Sequence, residues 1–525
     1  MSPSRPPKNV KLKKVLVANR GEIAVRVIRT LRVMGISSVA VYSDADENSI
    51  HVRLADEAVH LGASPPAASY LSGERIIQAA RERGAEGVHP GYGFLAENSE
   101  FAGAVEKAGL TFVGPTPANM SELGNKVASR DALREAGIPP VPGSGSAVTK
   151  SRARRLPEEI GLPLLLKAAA GGGGKGIRIV RKKKELTKAF ESAASEAQSS
   201  FGSSDLIAER YLERARHVEI QVLGDGAGGV QLFFERDCST QRRLQKLLEE
   251  TPSPAVTSPL RERLLLTAGR AMSKARYRGA GTLEFLLSEE GELFFLEMNT
   301  RIQVEHPVTE VTTGIDLIAE QIAIAEGKRF AVWKNDLSTS VAEPRGTAME
   351  FRLNAEDPER DFQPSIGKLT ALHLPFGPRI RVDSGVEAGD EITPYYDSLL
   401  AKVIAWGPSR SETLKTLSGA LKETRVHGVM STAPLGIAVL ADKVFVDGKN
   451  HCQYMAERLE DGKFLAREHA EEDLPLIAAA AAWLHRQNSH STGTKAPVEK
   501  GAGGDLSPWA LLQRGELREG MRGAR

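Results

Sequence analysis

The stretch LFFLEMNTRIQVEHP, residues 293–307, decides how the rest of this chain is interpreted. An apolar run, Leu293–Leu296, is followed at once by acids, amides, a guanidinium and an imidazole. Because a β-strand points alternate side chains to one face, Glu297 and Asn299 should present two oxygen ligands together. Hard oxygen ligands of this kind select Mg²⁺ or Mn²⁺.

A second apolar run, Gly281–Leu287, precedes the first and carries a single acid, Glu284. With the turn residues Ser288–Gly291 between them, the two runs predict a β-hairpin that brings Glu284 beside Glu297. Two carboxylates so near each other require a cation between them. Each acid alone could lie on the solvated face of an ordinary hairpin, but the charged residues that follow favour a metal site.

The glycine-rich stretch LPLLLKAAAGGGGKGIRIV, residues 162–180, is the second dense signal. Glycine lets backbone N–H groups close over phosphate oxygens, and Lys167 ends an apolar strand with a charge suited to a phosphate. The stretch is not a Walker A loop, because Gly176 follows Lys175 where that motif has Ser or Thr. Apolar strands on both sides predict a hairpin that folds over a nucleotide; a plain flexible loop is the alternative.

Together these motifs resemble the ATP-grasp biotin carboxylases, from about Lys14 to Glu460. Several independent motifs in the right order make the resemblance specific. They are the glycine stretch, Glu284 with Glu297-Met298-Asn299, and the runs Val15–Ala24, His89–Asn98, Glu235–Ser239, Gln241–Arg243, Arg352–Pro358 and Tyr395–Ser398.

The resemblance implies a fold of α/β and α+β type in three domains. A Rossmann-like pre-ATP-grasp domain is expected at residues 1–125, an ATP-grasp domain at 126–335 with a mobile glycine-rich lid at about 139–209, and a C-terminal biotin carboxylase domain at 336–460. The alternation of short apolar strands with amphipathic helices in the first region independently predicts a parallel sheet. Residues 461–525 are expected to form an Ala-rich helix, Leu476–Gln487, and then a disordered tail.

The resemblance also implies which residues bind ATP and its metal. The expected ATP-binding residues are Lys126, Lys167, Gly173, Gly174, Glu209, Arg210, Leu212 and His217. The lysines and glycine amides would hold the phosphates, and the segment Glu209–Leu212 would meet the adenine. Glu284, Glu297 and Asn299 would hold Mg²⁺ or Mn²⁺, with two ions expected.

The resemblance places bicarbonate and biotin beside the metal. The expected residues are Lys246, Arg301, Gln303, Val304, Arg352 and Tyr92. Arg301 offers a guanidinium fork that matches a planar anion, and Glu305 would act as general base on bicarbonate. Attack on the γ-phosphate of ATP would give carboxyphosphate, and from it CO₂ and phosphate. Arg352 would stabilise the biotin enolate, and Tyr92 would line the biotin face.

The biotin is expected on another polypeptide, because no Ala-Met-Lys-Met carrier tetrapeptide occurs in the sequence. The resemblance therefore implies two kinds of partner, a biotin carboxyl carrier protein and carboxyltransferase subunits. An acyl-CoA carboxylase is the expected assembly, with a pyruvate or urea carboxylase as the alternative. Family members often pair through their first domain, which leaves a homodimer open.

Composition sets the broad class of the protein. A chain of 525 residues is too long for a single hydrophobic core and suggests several domains. The net charge is +2 and both signs are abundant, which gives no sign of a surface that binds nucleic acid or membranes. The longest apolar stretch, Leu474–Leu484, is too short to span a bilayer. Two cysteines, Cys238 and Cys452, cannot build a disulfide framework. We therefore expect a soluble cytoplasmic enzyme with reduced thiols.

Three other interpretations are weighed against this one. Gly91–Ala96 fits the degenerate dinucleotide fingerprint, although Pro90 interrupts the approach to it. Another ATP-grasp ligase would activate a carboxylate as an acyl phosphate, and a silent scaffold would only bind carrier proteins. The scaffold is considered because Leu244 stands where the family usually has histidine near the nucleotide. Thr432 likewise stands where asparagine is common, and His306 is interpreted as a structural histidine.

Overall fold

The structure, a computed structural model, describes residues 11–124, 126–169, 177–332, 334, 336–460, 462, 464, 479, 482 and 483. The chain forms two compact units, Met1–Leu465 and Ala466–Arg525. In the second unit, Ala479, Ala482 and Trp483 are helical. The rest of the predicted helix Leu476–Gln487 and the predicted tail lie outside the described residues.

The first region of the chain is a five-stranded parallel sheet flanked by helices. Its elements are β1 (Lys14–Val17), α1 (Gly21–Val33), β2 (Ser37–Ser43), α2 (Ile50–Leu54), β3 (Glu57–Gly62), α3 (Gly73–Glu82), β4 (Gly87–His89), α4 (Ser99–Lys107), β5 (Thr111–Phe112) and α5 (Pro117–Leu123). The strand order is β3-β2-β1-β4-β5. Helix α1 turns Ile23, Val27 and Leu31, spaced by four, into the core. The predicted parallel sheet is confirmed, and Gly91–Ala96 forms a loop after β4 rather than the start of a helix.

A small three-stranded antiparallel sheet follows. Its elements are α6 (Lys126–Ala136), α7 (Lys150–Ala153), α8 (Leu156–Glu159), β6 (Leu164–Ala168), β7 (Arg178–Val180), α9 (Leu186–Phe201) and β8 (Leu206–Arg210). Strand β6 lies between β7 and β8, and Leu164, Leu166 and Val180 form its core with Leu186 of α9. The strands predicted on either side of the glycine stretch are confirmed as an antiparallel pair.

The next elements build most of a large sheet. They are β9 (Arg216–Asp225), β10 (Val230–Arg242), β11 (Gln245–Thr251), α10 (Ser258–Lys274), β12 (Arg278–Leu287), β13 (Leu293–Asn299), α11 (His306–Thr313), α12 (Leu317–Ala325), α13 (Leu337–Ser340), β14 (Val341–Ala342) and β15 (Thr347–Asn354). The predicted hairpin is confirmed, since β12 pairs antiparallel with β13 and Glu284 lies opposite Glu297.

The last region of the first unit adds further strands to the same sheet. Its elements are β16 (Glu356–Asp357), β17 (Gln363–Pro364), β18 (Gly367–Lys368), β19 (Ala371–His373), β20 (Ile380–Ser384), β21 (Glu391–Ile392), β22 (Leu399–Gly407), α14 (Arg410–Glu423), β23 (Arg425–His427), α15 (Ala433–Ala441), α16 (Lys443–Val446) and α17 (Tyr454–Glu460). The nine-stranded sheet has the order β13-β12-β9-β10-β11-β15-β22-β20, with β14 beside β10. It therefore crosses the predicted boundary at residue 335, and the predicted domain limits stay predictions.

The two faces of the large sheet differ because side chains alternate along each strand. On β9, Ile220 and Val222 join the apolar core that includes Leu264 and Leu265 of α10. Glu219, between such apolar residues, is buried on the other face and bonds to charged groups there. The apolar face carries the core and the polar face carries the candidate site.

Candidate active site

One lysine, whose side chain is only 12% exposed, contacts three carboxylates on the polar face of the large sheet. Lys246 lies on β11. Its Nζ is 2.6 Å from Glu219 Oε2, 2.9 Å from Glu284 Oε1 and 2.6 Å from Glu305 Oε1. Burial alone would lower the pKa of Lys246, but the three carboxylates raise it well above its usual value. The ammonium stays charged, and two of the three carboxylates have a second cation, Arg236 for Glu219 and Arg352 for Glu305.

The predicted metal ligands lie together on the β12–β13 hairpin. Glu284 pairs with Glu297 across the hairpin, and Asn299 Nδ2 donates to Glu284 Oε1 at 2.8 Å. Burial would raise the pKa of Glu284, but Lys246 and His217 lower it, so the carboxylate is ionised. Two carboxylates and an amide oxygen are a donor set that fits Mg²⁺. Metal binding by these residues stays a prediction.

His217 lies beside one of those ligands. Its Nε2 is 3.2 Å from Glu284 Oε2, and its Nδ1 is 3.0 Å from Gln241 Nε2. The imidazole lines the same cleft as the metal hairpin. Sequence analysis assigned His217 to the nucleotide, and that assignment also stays a prediction.

Arg301, the predicted bicarbonate residue, is held by three side chains and by the Ile302 carbonyl oxygen at 3.2 Å. Its Nη1 donates to Gln303 Oε1 at 2.8 Å, and its Nη2 donates to Asn299 Oδ1 at 3.1 Å. Its Nε donates to Glu97 Oε2 at 2.8 Å, and Glu97 also accepts from Thr300 N at 3.0 Å. Sequence analysis missed Glu97, because it lies in the loop after β4, far from the hairpin in sequence.

Glu305 joins two cations. Its Oε1 contacts Lys246, and its Oε2 accepts from Arg352 Nη2 at 2.8 Å. Burial would raise the pKa of Glu305, but Lys246 and Arg352 hold it well below the usual range. Arg352 Nε also donates to Glu249 Oε1 at 2.6 Å. Burial raises the pKa of Glu249 to about 7, although the neighbouring Arg352 guanidinium lowers it in part. Glu249 is a second site residue that sequence analysis missed.

Glu219 is a third missed residue, although the sequence carried a signal for it. In the run HVEIQV, residues 217–222, polar and apolar residues alternate as expected for a strand with one polar face. Glu219 Oε1 accepts from Arg236 Nε at 2.6 Å, and both side chains are fully buried. A buried arginine of this kind fixes the carboxylate that contacts Lys246.

The opposite wall of the cleft belongs to the small sheet. Lys167 on β6 lies 2.7 Å from Glu209 Oε2 on β8, and Arg130 of α6 donates to Glu209 Oε1. Burial would raise the pKa of Glu209, but Lys167 and Arg130 lower it. Sequence analysis assigned Lys167 to phosphate and Glu209 to adenine, yet the two side chains are in contact.

The other residues predicted to bind the nucleotide are Arg210, Leu212, Lys126, Gly173 and Gly174. Arg210 and Leu212 line the cleft, and the Arg210 guanidinium lies 5.5 Å from the Phe294 ring centre. Lys126 begins α6. Gly173 and Gly174 lie outside the described residues.

Tyr92, the predicted biotin-facing residue, lines the cleft from the first region. Its hydroxyl donates to Glu22 Oε1 at the start of α1. Burial and the Glu22 carboxylate raise the pKa of Tyr92 well above its usual value. The hydroxyl therefore remains a hydrogen-bond donor.

The two departures from the family pattern lie in different settings. Leu244 is 50% exposed at the turn between β10 and β11 and lines the cleft. Arg243 and Leu244 both have positive φ, 49° and 67°, a conformation that costs a leucine about 1–2 kcal/mol. Thr432 is buried, and its hydroxyl donates to the Arg352 carbonyl at 3.2 Å and accepts from Asn354 N at 2.9 Å. Thr432 thus supports the strand that carries Arg352.

Cys238 and Cys452 are both free. Burial raises the pKa of the Cys238 thiol well above its usual value. His306 is fully buried, and its Nδ1 lies 2.8 Å from the Gln303 carbonyl oxygen. A raised pKa makes the Cys238 thiol unreactive, and the environment of His306 agrees with the structural histidine expected from the sequence.

Comparison with known proteins identifies the family. Three family profiles match successive parts of the chain: Biotin carboxylase, N-terminal domain at residues 11–120; Carbamoyl-phosphate synthase L chain, ATP binding domain at 125–332; and Biotin carboxylase C-terminal domain at 350–457. The biotin carboxylase of Nostoc sp. is 45% identical over 449 residues, which are 85% of this chain and 99% of that protein. The chain belongs to the biotin carboxylase family.

Two further relatives bear on the role of this biotin carboxylase. The biotin-dependent acyl-coenzyme A carboxylase alpha3 subunit of Mycobacterium leprae is 46% identical over 441 residues, 84% of this chain and 73% of that one. The biotin carboxylase domain dimer of Hydrogenobacter thermophilus 2-oxoglutarate carboxylase has been solved with MgADP, ADP and bicarbonate. That structure is 46% identical, with a TM-score of 0.83 over 87% of this chain and 99% of that one.

The comparisons confirm the family and the fold class. The protein is an ATP-dependent ligase that uses ATP, Mg²⁺ and biotin. Among the described residues, the helices are too short or too polar to cross a membrane.

Proposed function

We propose that this biotin carboxylase carries out the first half-reaction of an acyl-CoA carboxylase, the ATP- and bicarbonate-dependent carboxylation of biotin on a separate carrier protein. The observation that supports this reaction is the charged group around Lys246. Lys246 contacts Glu284 of the hairpin and Glu305, and Glu305 in turn contacts Arg352. The similarity to the mycobacterial acyl-CoA carboxylase subunit supports this assembly. A 2-oxo acid carboxylase is the second candidate, because the Hydrogenobacter relative is equally similar.

Glu284, Glu297 and Asn299 would hold Mg²⁺, which when bound neutralises the phosphoryl group that ATP transfers. Lys167 would bind ATP phosphates as a point charge. Its present contact, Glu209 Oε2 at 2.7 Å, would then be exchanged in part for a phosphate oxygen, while Arg130 keeps Glu209 paired.

Bicarbonate would bind between Arg301 and Lys246. Glu305, ionised and 2.6 Å from Lys246 Nζ, would accept the bicarbonate proton, and the resulting oxyanion would attack the γ-phosphorus as ADP leaves. Carboxyphosphate would then break down to CO₂ and phosphate, and that phosphate would take the N1′ proton of biotin. The Arg352 guanidinium would stabilise the negative charge left on the ureido oxygen.

The remaining assignments belong to the same proposal. The chain would work as a homodimer in the cytoplasm with a biotin carboxyl carrier protein and carboxyltransferase subunits. The domain limits 1–125, 126–335 and 336–460, with a lid at about 139–209, are proposed for it as well.

The test is ATP cleavage by the purified chain with bicarbonate and free biotin. We expect cleavage that requires bicarbonate and is strongly stimulated by biotin. Indifference to biotin would point to another ATP-grasp ligase, and no turnover would point to a scaffold. Capture of the carrier and transferase subunits, followed by assays with acyl-CoA substrates and with 2-oxo acids, separates the two candidate assemblies.

A further inference from the structure

Another lysine lies behind the candidate site, on β22. Lys402 is fully buried, and its Nζ donates to the Val304 carbonyl oxygen at 3.0 Å. The same Nζ is 3.1 Å from Glu22 Oε2 and 3.8 Å from Asp383 Oδ2. The proposed reaction gives this lysine no role.

The ammonium of Lys402 is charged despite its burial. Burial alone would lower its pKa. The neighbouring carboxylates raise it above the usual value instead, Glu22 most and then Glu350 and Asp383. A buried ion pair is a weak source of stability, because apolar residues of the same volume often serve as well. The contacts of Lys402 therefore call for an explanation beyond stability.

One of these contacts fixes the segment that carries the bicarbonate residues. Val304 lies between Gln303, which accepts from Arg301, and Glu305, which contacts Lys246. A charge-assisted hydrogen bond to the Val304 carbonyl oxygen holds the backbone between those two side chains. Loss of the bond would free both neighbours to shift.

The other contact fixes the wall that carries Tyr92. Glu22 binds Lys402 through Oε2 and accepts from the Tyr92 hydroxyl through Oε1. The packing of this wall on the sheet is close, because a Cβ built on Gly385, just after β20, would lie 2.3 Å from Glu22 N. Lys402 and Asp383 are also cross-strand partners on β22 and β20.

We propose that Lys402 is a positioning residue that couples the bicarbonate segment to the biotin wall, through the Val304 carbonyl oxygen on one side and Glu22 with Tyr92 on the other. The inference rests on the proposed function, since it takes Val304 and Tyr92 as substrate-facing. Because nucleotide-facing Lys167 and Glu209 lie on the small sheet, the coupling should not extend to ATP.

The test is the variant Lys402→Met, which keeps the length of the side chain and removes its charge. We expect the KM values for bicarbonate and for biotin each to rise by about 10-fold, the effect of losing one charge-assisted hydrogen bond. The KM for ATP should change by less than about twofold, because its predicted ligands do not contact Lys402. A merely structural role would not separate the three KM values.

The matched control is Arg410→Met. Arg410 begins α14, and its guanidinium contacts Glu250 Oε2 at 2.6 Å and the Phe445 carbonyl oxygen at 2.9 Å. Like Lys402→Met, the control removes a cation that contacts a carboxylate and a backbone carbonyl, but these contacts lie outside the bicarbonate segment. It should lower thermal stability while leaving the KM for bicarbonate unchanged.

The double variant Lys402→Met with Glu22→Gln removes the charge of Glu22 together with that of Lys402, so that Glu22 is not left as an unpaired buried carboxylate if the single variant fails to fold. Its KM for bicarbonate should remain raised. Equal increases in all three KM values, or unchanged KM values in a folded Lys402 variant, would overturn the inference. Absence of bicarbonate-dependent ATP cleavage in the unmodified chain would instead overturn the proposed function.

Discussion

The two walls of the cleft have opposite charge arrangements. On the large sheet, one cation, Lys246, contacts three carboxylates. On the opposite wall, one carboxylate, Glu209 of the small sheet, contacts two cations, Lys167 of β6 and Arg130 of α6. Carboxylate oxygens such as those of Glu284 and Glu297 suit Mg²⁺, and the cations Lys167 and Arg130 suit phosphates. The contrast indicates that each wall is prepared for a different part of Mg²⁺-ATP.

The largest effect should come from the large sheet. Replacing Glu305 by Gln keeps the shape of the side chain but removes the proposed base, and we expect kcat for bicarbonate-dependent ATP cleavage to fall by about 10²–10⁴-fold. ADP binding, measured by calorimetry, should be retained. A variant with near-normal turnover would assign the base to another group.

A second substitution tests the preference of the same wall for cations. Glu297→Gln should raise the Mg²⁺ concentration for half-maximal activity by about 10–100-fold, because an amide is a weaker ligand than a carboxylate. This concentration is measured by titrating ATP cleavage with Mg²⁺. Glu289→Gln, at a side chain 59% exposed in the hairpin turn, is the matched control and should leave the titration unchanged. Equal curves for the two variants would contradict the metal site.

The small sheet should respond through ATP affinity alone. Lys167→Met should raise the KM for ATP by about 10-fold, because a charge-assisted contact to phosphate is lost. Arg130 keeps Glu209 paired, so the fold should be retained. The KM for bicarbonate should stay the same, and a parallel rise in both KM values would show that the two walls are not independent.

Glu249, beside Arg352, makes a prediction about stability. Its folded pKa of about 7 lies above the ordinary value of 4.5 because the carboxyl is buried. The contribution of this carboxyl to the free energy of unfolding is therefore full below pH 4.5. It falls as the pH rises to about 7, by about 1.4 kcal/mol for each unit by which the pKa is raised, and it stays low above that pH. Glu249→Gln should flatten this fall in denaturant unfolding measured from pH 5 to 8. An unchanged slope would show that Glu249 titrates normally.

The smallest effect is expected at the turn between β10 and β11. Leu244→His restores the residue common in the family, and one hydrogen bond to the nucleotide is worth about 1 kcal/mol. The KM for ATP should fall by about fivefold. Leu244→Ala, which removes the exposed side chain without adding a donor, should not lower it.

Local pairing explains what the sequence could predict. Glu284, Glu297 and Asn299 are close in the chain, so a hairpin with a short turn was enough to bring them together. The contact between Lys167 and Glu209 required the pairing of β6 with β8, in which Lys167 lies opposite Ile207 and Glu209 opposite Leu165. Side chains two residues apart across such a pair share a face, but the pairing itself is long-range.

The missed residues follow the same rule. Glu219, Glu249 and Glu97 reach the site from β9, β11 and the loop after β4. In the sequence, each is an acid in an ordinary strand or loop. The order of strands in the large sheet brings Glu219 to Lys246 and Glu249 to Arg352, and a loop of the first region brings Glu97 to Arg301. The family resemblance assigned a role to none of these three supporting acids, although Glu97 lies within the run His89–Asn98 that carries it.

The contact of Lys246 with Glu284 has a geometric consequence. Their strands, β11 and β12, are separated by β10 and β9, which in a flat sheet is about 14 Å at about 4.8 Å per step. Side chains standing upright on a flat sheet would not meet, so the contact requires the sheet to bend or the two long side chains to lean toward each other. The irregular register of β10 at Asp237–Gln241 is the kind of bulge that bends a strand. Where β10 bends, its curvature helps to set the distance between Lys246 and Glu284, and a change that straightened β10 would move these two charges apart with every side chain still present.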